Sequence, residues 1–181
     1  GKRVAELALS FKMNVIVSTR TPKPGLEEEL GIAQVDLSTL LVQSDIVSLH
    51  VPLTPETRYL INKTNITLMK KGSILINTAR GAIVESEAIL LALEQGILAG
   101  AGLDVLEQEC ALKEERELLT KEFLKTCDLK TQLLNHVLLT KENVIITPHN
   151  AFNSQEALEE IVQTTLQNIA SYVSGKPENT M

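Results

Sequence analysis

The sequence has no tryptophan, three phenylalanines and two tyrosines, so aromatic residues reach only 3%. With a formal net charge of −6 as well, it lacks both the basic stripe and the stacking platform of a nucleic-acid binder. No nucleic-acid partner is expected. No apolar run approaches the ~20 residues a bilayer helix needs, so no membrane partner is expected either. The two cysteines, Cys110 and Cys127, are far apart, without CxxC spacing or neighbouring histidines. That pattern argues against a disulfide scaffold and against a zinc site, and the expected metal content is none. Idle thiols fit a reducing, cytoplasmic setting.

What is present is ordinary globular material: 181 residues, 44% hydrophobic and 22% charged. That length suits one domain over residues 1–181. The hydrophobic period alternates between short β-like runs and helical stretches, the pattern of βαβ units around a parallel sheet. Val4, Leu7, Ala8 and Phe11 fall at helical spacing, and Asn14 to Thr19 (NVIVST) then reads as a buried strand. Asp36 can cap a short helix carrying Leu37, Leu40 and Leu41. Further strands are expected at Asp45 to Val51, Ser73 to Ala79, Gly102 to Leu106 and Asn143 to Thr147.

Glu85 and Glu87 suit the first turn of a helix that Gly96 ends after Gln95. The Lys/Glu-rich stretch between Glu109 and Asn143, with Leu118, Leu119, Phe123 and Leu124, is expected to form one or two amphipathic helices. A last helix has Leu158, Ile161, Val162, Leu166, Ile169 and Val173 on its apolar face, with Asn153 as its cap, Glu156 in the capping-box position, and Gly175 and Pro177 as stops.

Gly1 opens directly into a helix that feeds the NVIVST strand, the place of the last glycine in a GxGxxG phosphate loop. There, helix amides and the helix dipole would meet a pyrophosphate. The expected fold class is therefore α/β, a doubly wound parallel sheet of the Rossmann-like dinucleotide-binding type, with the first strand and most of the glycine-rich loop missing. A dinucleotide fold usually ends its second strand in an acid for the ribose 2′-hydroxyl. Here the residues are Ser18, Thr19 and Arg20. Arg20, with Lys23 close behind, could pair with a 2′-phosphate, so the cofactor is NAD or NADP with a slight lean to NADP. A solvated turn arginine is the alternative.

Three segments are more specific: MKKGSILINTARGAIVESEAI at Met69 to Ile89, AGAGLDVLEQE at Ala99 to Glu109, and TPHNAFNSQEA at Thr147 to Ala157. Together with HVPLTPET at His50 to Thr57 they resemble, in order, the signature segments of the D-isomer-specific 2-hydroxyacid dehydrogenases. The resemblance runs essentially end to end; the context of Phe152, three residues after His149, is similar to the D-lactate branch, where an aromatic could help wall the substrate pocket, and a core aromatic at a helix entrance is the alternative. It implies an NAD(P)-dependent oxidoreductase that interconverts a small 2-oxo acid and its D-2-hydroxy acid, expected as a homodimer.

By that resemblance the family's catalytic arginine falls on Arg80, its glutamate on Glu109 and its histidine on His149. A planar guanidinium can bind the carboxylate of a 2-oxo acid in a fixed plane. An imidazole can donate to the carbonyl oxygen as hydride arrives, and accept the hydroxyl proton in reverse. A carboxylate on the other ring nitrogen holds the tautomer and stabilises the cation. The expected cofactor-binding residues are Gly1, Thr19, Arg20, His50, Val51, Pro52, Thr57, Thr78, Ala79, Asp104 and Ala151. Asp104 would meet the nicotinamide carboxamide, and His50, Val51, Pro52 and Thr57 would line the adenosine and phosphate side.

The sequence departs from the family in two places. Cys110 stands where proline commonly follows the glutamate, and the insertion before His149 is longer than usual. Rival readings are a non-catalytic NAD(H)-sensing protein similar to the corepressors that share these motifs, and a purely structural module. A formate dehydrogenase would carry glutamine at Glu109. The second lobe of the family is nearly absent here, so the 181-residue piece alone is expected to be inactive or nearly so.

Overall fold

The computed structural model describes residues 1–21, 25, 29–108, 128–176 and 178–179. They separate into two compact units, Gly1–Pro148 and His149–Met181. The first unit contains helices α1 (Lys2–Ser10), α2 (Leu37–Gln43), α3 (Ser86–Glu94) and α4 (Leu129–Leu139). Its strands are β1 (Ile16–Val17), β2 (Ala33–Gln34), β3 (Ile46–Leu49), β4 (Ser73–Asn77), β5 (Leu98–Leu103) and β6 (Val144–Ile146). Helix α5 (Gln155–Val173) forms most of the second unit.

All the strand pairs are parallel. They form a two-stranded sheet, β1-β2, and a four-stranded sheet, β3-β4-β5-β6. In the doubly wound order the first strand lies between the second and the fourth. With β1 as the second strand and β3 as the fourth, the two observed sheets are the two flanks of that order. The fold is the expected one, an open Rossmann-like parallel sheet with crossover helices.

Local chemistry explains the elements that carry the site. Asp36 begins α2 by accepting the Thr39 amide at 2.8 Å, and contacts with Ser38 and Thr39 hold its carboxyl down at about 2. Gly96, at φ +65, ends α3 after Gln95. Strands β3 and β4 bury Val47, Leu49, Leu75 and the Asn77 side chain. Each fully buried Leu or Val in that set contributes roughly 1.5–3 kcal/mol of apolar transfer.

Several local expectations shift. The strand expected at Gly102 to Leu106 is β5, Leu98–Leu103. Gly100 is required there by close packing: a Cβ on it would lie 2.7 Å from the Asn143 carbonyl oxygen. The NVIVST strand pairs only at Ile16–Val17, and β2 was not anticipated. The last helix is capped by Ser154, whose Oγ accepts the Ala157 amide at 3.2 Å, and not by Asn153. No residue of α5 is buried, and its whole apolar stripe, Leu158 to Val173, is exposed. The inserted stretch with Leu118, Leu119, Phe123 and Leu124 lies outside the described residues, as do Lys23, Glu109, Cys110 and Cys127.

Candidate cofactor and substrate site

A cleft of about 490 Å³ opens in the first unit, lined by Gly1, His50, Val51, Pro52, Leu53, Thr78, Ala79 and Arg80. His50 to Leu53 follow β3 and Thr78 to Arg80 follow β4, so the cleft lies beyond the carboxyl ends of two adjacent parallel strands, where open α/β sheets bind ligands. Gly1 is the N-cap of α1, so that helix begins at the cleft wall with its first-turn amides and positive dipole end. A Cβ on Gly1 would already sit 3.3 Å from the His50 Cβ. The bare backbone leaves the room that a pyrophosphate needs against the helix start. The donors here therefore fit a dinucleotide.

The sequence builds the β4 end of the cleft through Asn77, which is 1% exposed. Its Oδ1 accepts the Ala79 amide at 3.0 Å, and its Nδ2 donates to the Arg80 carbonyl at 3.0 Å. This Asx-type bracket fixes the turn that presents Thr78, Ala79 and Arg80. Arg80 is exposed, and its Nη1 donates to the Ala79 carbonyl at 2.7 Å. No ion pair involves it among the described residues. Gly81 follows, buried so closely that a Cβ would fall 1.9 Å from the Leu106 carbonyl oxygen.

On the β3 side His50 Nε2 hydrogen-bonds the Ser48 hydroxyl at 2.9 Å. Desolvation of the ring pushes its pKa below the usual histidine value. Thr57 does not line the cleft. Its hydroxyl donates to the Pro52 carbonyl at 2.6 Å and accepts the Thr54 amide at 2.7 Å, which closes the loop behind Val51 and Pro52.

Thr19 and Arg20 lie at the end of β1, outside the cleft lining. The Thr19 hydroxyl bonds the Thr21 carbonyl at 3.0 Å and Gln34 Oε1 at 3.2 Å. Arg20 is exposed. Glu56 feels its charge, although the Thr54 hydrogen bond is the larger cause of that carboxyl's lowered pKa. Asp104, 4% exposed, follows β5; its Oδ1 accepts the Thr147 hydroxyl at 2.5 Å and its amide donates to the Asn77 carbonyl at 2.9 Å.

His149 and Ala151 belong to the second unit. His149 has φ 51, a left-handed conformation that non-glycine residues seldom hold and that concentrates at functional positions. Glu109 lies outside the described residues. Among the described residues no histidine, cysteine or carboxylate cluster could hold a metal, and no helix is long and apolar enough to cross a membrane.

The model of the D-isomer specific 2-hydroxyacid dehydrogenase NAD binding domain matches residues 1–151. The chain belongs to that family. A glyoxylate reductase of Thermococcus litoralis is 39% identical over 176 residues, which is 97% of this chain and 46% of that protein. A glycerate dehydrogenase of Methylorubrum extorquens is 37% identical over 181 residues, 100% of this chain and 49% of that protein. Among solved structures, D-lactate dehydrogenase from Aquifex aeolicus complexed with NAD and lactic acid superposes with a TM-score of 0.82 at 39% identity, covering 97% of this chain and 51% of that one. The pyruvate reductase of Chlamydomonas reinhardtii gives 0.84 at 39% identity, covering 99% and 52%. The chain thus spans about half the length of these relatives.

Within this NAD-binding domain sequence reasoning missed Leu53, Asn77 and Gly81. Asn77 did carry a signal, since an asparagine at the end of a strand, three residues before an arginine-glycine pair, is turn chemistry. Gly81 carried none, because its partner, the Leu106 carbonyl, is distant in sequence.

Proposed function

We propose that this chain is the cofactor-binding half of an NAD(H)-dependent reductase that converts a small 2-oxo acid to its D-2-hydroxy acid. The observation that carries the reading is the cleft, in which a side-chain-free helix start and an exposed arginine, without an ion pair among the described residues, line one space beyond β3 and β4. Gly1 and the start of α1 hold the pyrophosphate, and His50 to Leu53 wall the nucleotide. The bound nicotinamide supplies the hydride.

Arg80 binds the substrate carboxylate through its planar guanidinium and orients the oxo group. His149 gives a proton to the carbonyl oxygen during reduction and takes it back in the reverse direction. Glu109 holds the His149 tautomer. The substrate class is two- and three-carbon 2-oxo acids such as glyoxylate, hydroxypyruvate and pyruvate, in line with the names of the relatives.

Titrating the complete protein with NADH, read by nicotinamide fluorescence, tests the reading. Saturable binding that lactate or glyoxylate alters is expected. Absence of binding to NADH and NADPH alike would contradict it and favour a structural module.

A further inference from the structure

The two segments that flank the Arg80 turn, at Tyr59 and at Ser86, are tied to the loop after β5 through one buried carboxylate, that of Glu107, which is 5% exposed. Its Oε1 accepts the Tyr59 hydroxyl. Its Oε2 accepts the amide of Ser86, the first residue of α3, at 3.2 Å. The backbone carbonyl of Glu107 accepts Asn135 Nδ2 at 2.7 Å, and Asn135 Oδ1 takes the Ser86 hydroxyl at 3.2 Å. No lysine or arginine forms an ion pair with Glu107 among the described residues. A buried carboxylate without a cation is a costly choice where apolar filling would serve stability as well.

Tyr59 has its own distortion, a φ of 51, a region that bulky residues rarely occupy. From it, the Tyr59 amide donates to the Ala82 carbonyl at 2.9 Å, and the Ile61 amide to the Ile83 carbonyl at 3.1 Å. Residues 59–61 therefore run beside the short helical turn Gly81–Ile83 that begins at Arg80. Gly81 packs so near the Leu106 carbonyl that an added Cβ would fall 1.9 Å from its oxygen. Arg58 closes the outer end, donating Nη2 to the Tyr59 hydroxyl at 3.0 Å with its guanidinium 4.5 Å from the ring centroid. Burial first, then Glu107, raises the Tyr59 pKa, so the phenol remains a donor across the neutral range.

We propose that Glu107 is a positioning residue: through the Tyr59 hydroxyl and the Ser86 amide it locks the Arg80 turn against the end of β5, and so sets where the guanidinium meets the substrate carboxylate. The inference rests on the functional reading above. None of Glu107, Tyr59, Ser86 and Asn135 lines the cleft, so the network acts on Arg80 through the backbone that Tyr59 and Ser86 hold.

The test compares Glu107→Gln, Tyr59→Phe and the double variant of the complete protein, at a temperature where each is fully folded by circular dichroism. Kd for NADH is expected to stay within about twofold of wild type. The kcat/KM for glyoxylate is expected to fall by about tenfold or more, mainly through KM, because a small misplacement of an orienting group is expensive in rate. The double variant should be no worse than the poorer single one, since both break one link. Folded variants with lowered melting temperatures but unchanged KM and kcat would overturn the proposal and leave Glu107 purely structural. Should Glu107→Gln fail to fold, Tyr59→Phe, which removes one hydroxyl, decides alone. A wild-type protein that binds NADH but reduces no 2-oxo acid refutes the functional reading first, and this inference with it.

Discussion

Replacing Gly81 with alanine perturbs the contact on which the Arg80 turn rests. The added Cβ would fall 1.9 Å from the Leu106 carbonyl oxygen, 2.1 Å from its carbon and 2.5 Å from the Glu107 nitrogen. All three are backbone atoms, so no rotamer change relieves the overlap. Opening 1.9 Å to ordinary contact at 3.4 Å moves one of the two turns by about 1.5 Å. Overpacking of this severity belongs at the upper end of the usual range, about 3 kcal/mol.

For a domain of this size that corresponds to a melting temperature lower by about 6–12 °C. Thermal unfolding and a urea titration read it together, with the midpoint falling and the slope unchanged. Gly96→Ala is the control: φ is +65 but nothing lies within 4 Å of its Cβ, so only backbone strain of about 1 kcal/mol is expected. The displaced turn also carries Arg80, so kcat/KM for a 2-oxo acid should drop by as much as about 100-fold. A Gly81→Ala protein melting within about 2 °C of wild type would refute the close packing of the two turns.

Arg20→Ala should weaken NADPH about fivefold, as expected for one exposed charge-assisted contact, while leaving NADH unchanged; equal losses for both would remove the 2′-phosphate role. Asp36, held at about 2 in the folded state, gives α2 a cap that is fully effective above the ordinary aspartate range and is lost as pH falls from about 4 toward 2. Acid titration of Asp36→Asn should lack that component, and identical acid profiles would count against the cap. The 181-residue chain by itself, spanning about half of its relatives, should show no steady NADH consumption with glyoxylate, pyruvate or hydroxypyruvate; sustained turnover would mean that the site is complete within it.

The parts of the fold written in β-branched runs were readable from sequence. DIVSLHV and SILIN hold β3 and β4, and the residues just past them, His50 to Pro52 and Thr78 to Arg80, line the cleft. Local caps were readable too at Asp36 and Gly96, whose partners lie within a turn. The start of β5 was not, since AGAG reads as turn composition, and Gly100 answers to the Asn143 backbone rather than to its neighbours in sequence. For the same reason Tyr59 and Glu107, 48 residues apart, gave no sign of each other. The apolar stripe of α5 was read correctly as a stripe, but amphipathic spacing does not say what covers it, and here it is exposed.

The most direct test of the central claim is the rate of NADH oxidation by the complete protein with glyoxylate, compared with Arg80→Ala. Saturable turnover is expected in the wild type and a kcat/KM lower by about a hundredfold or more in the variant, the loss of a paired, charge-assisted contact to the substrate carboxylate. Turnover that is indifferent to Arg80, or a wild-type protein that reduces no 2-oxo acid, would contradict that claim.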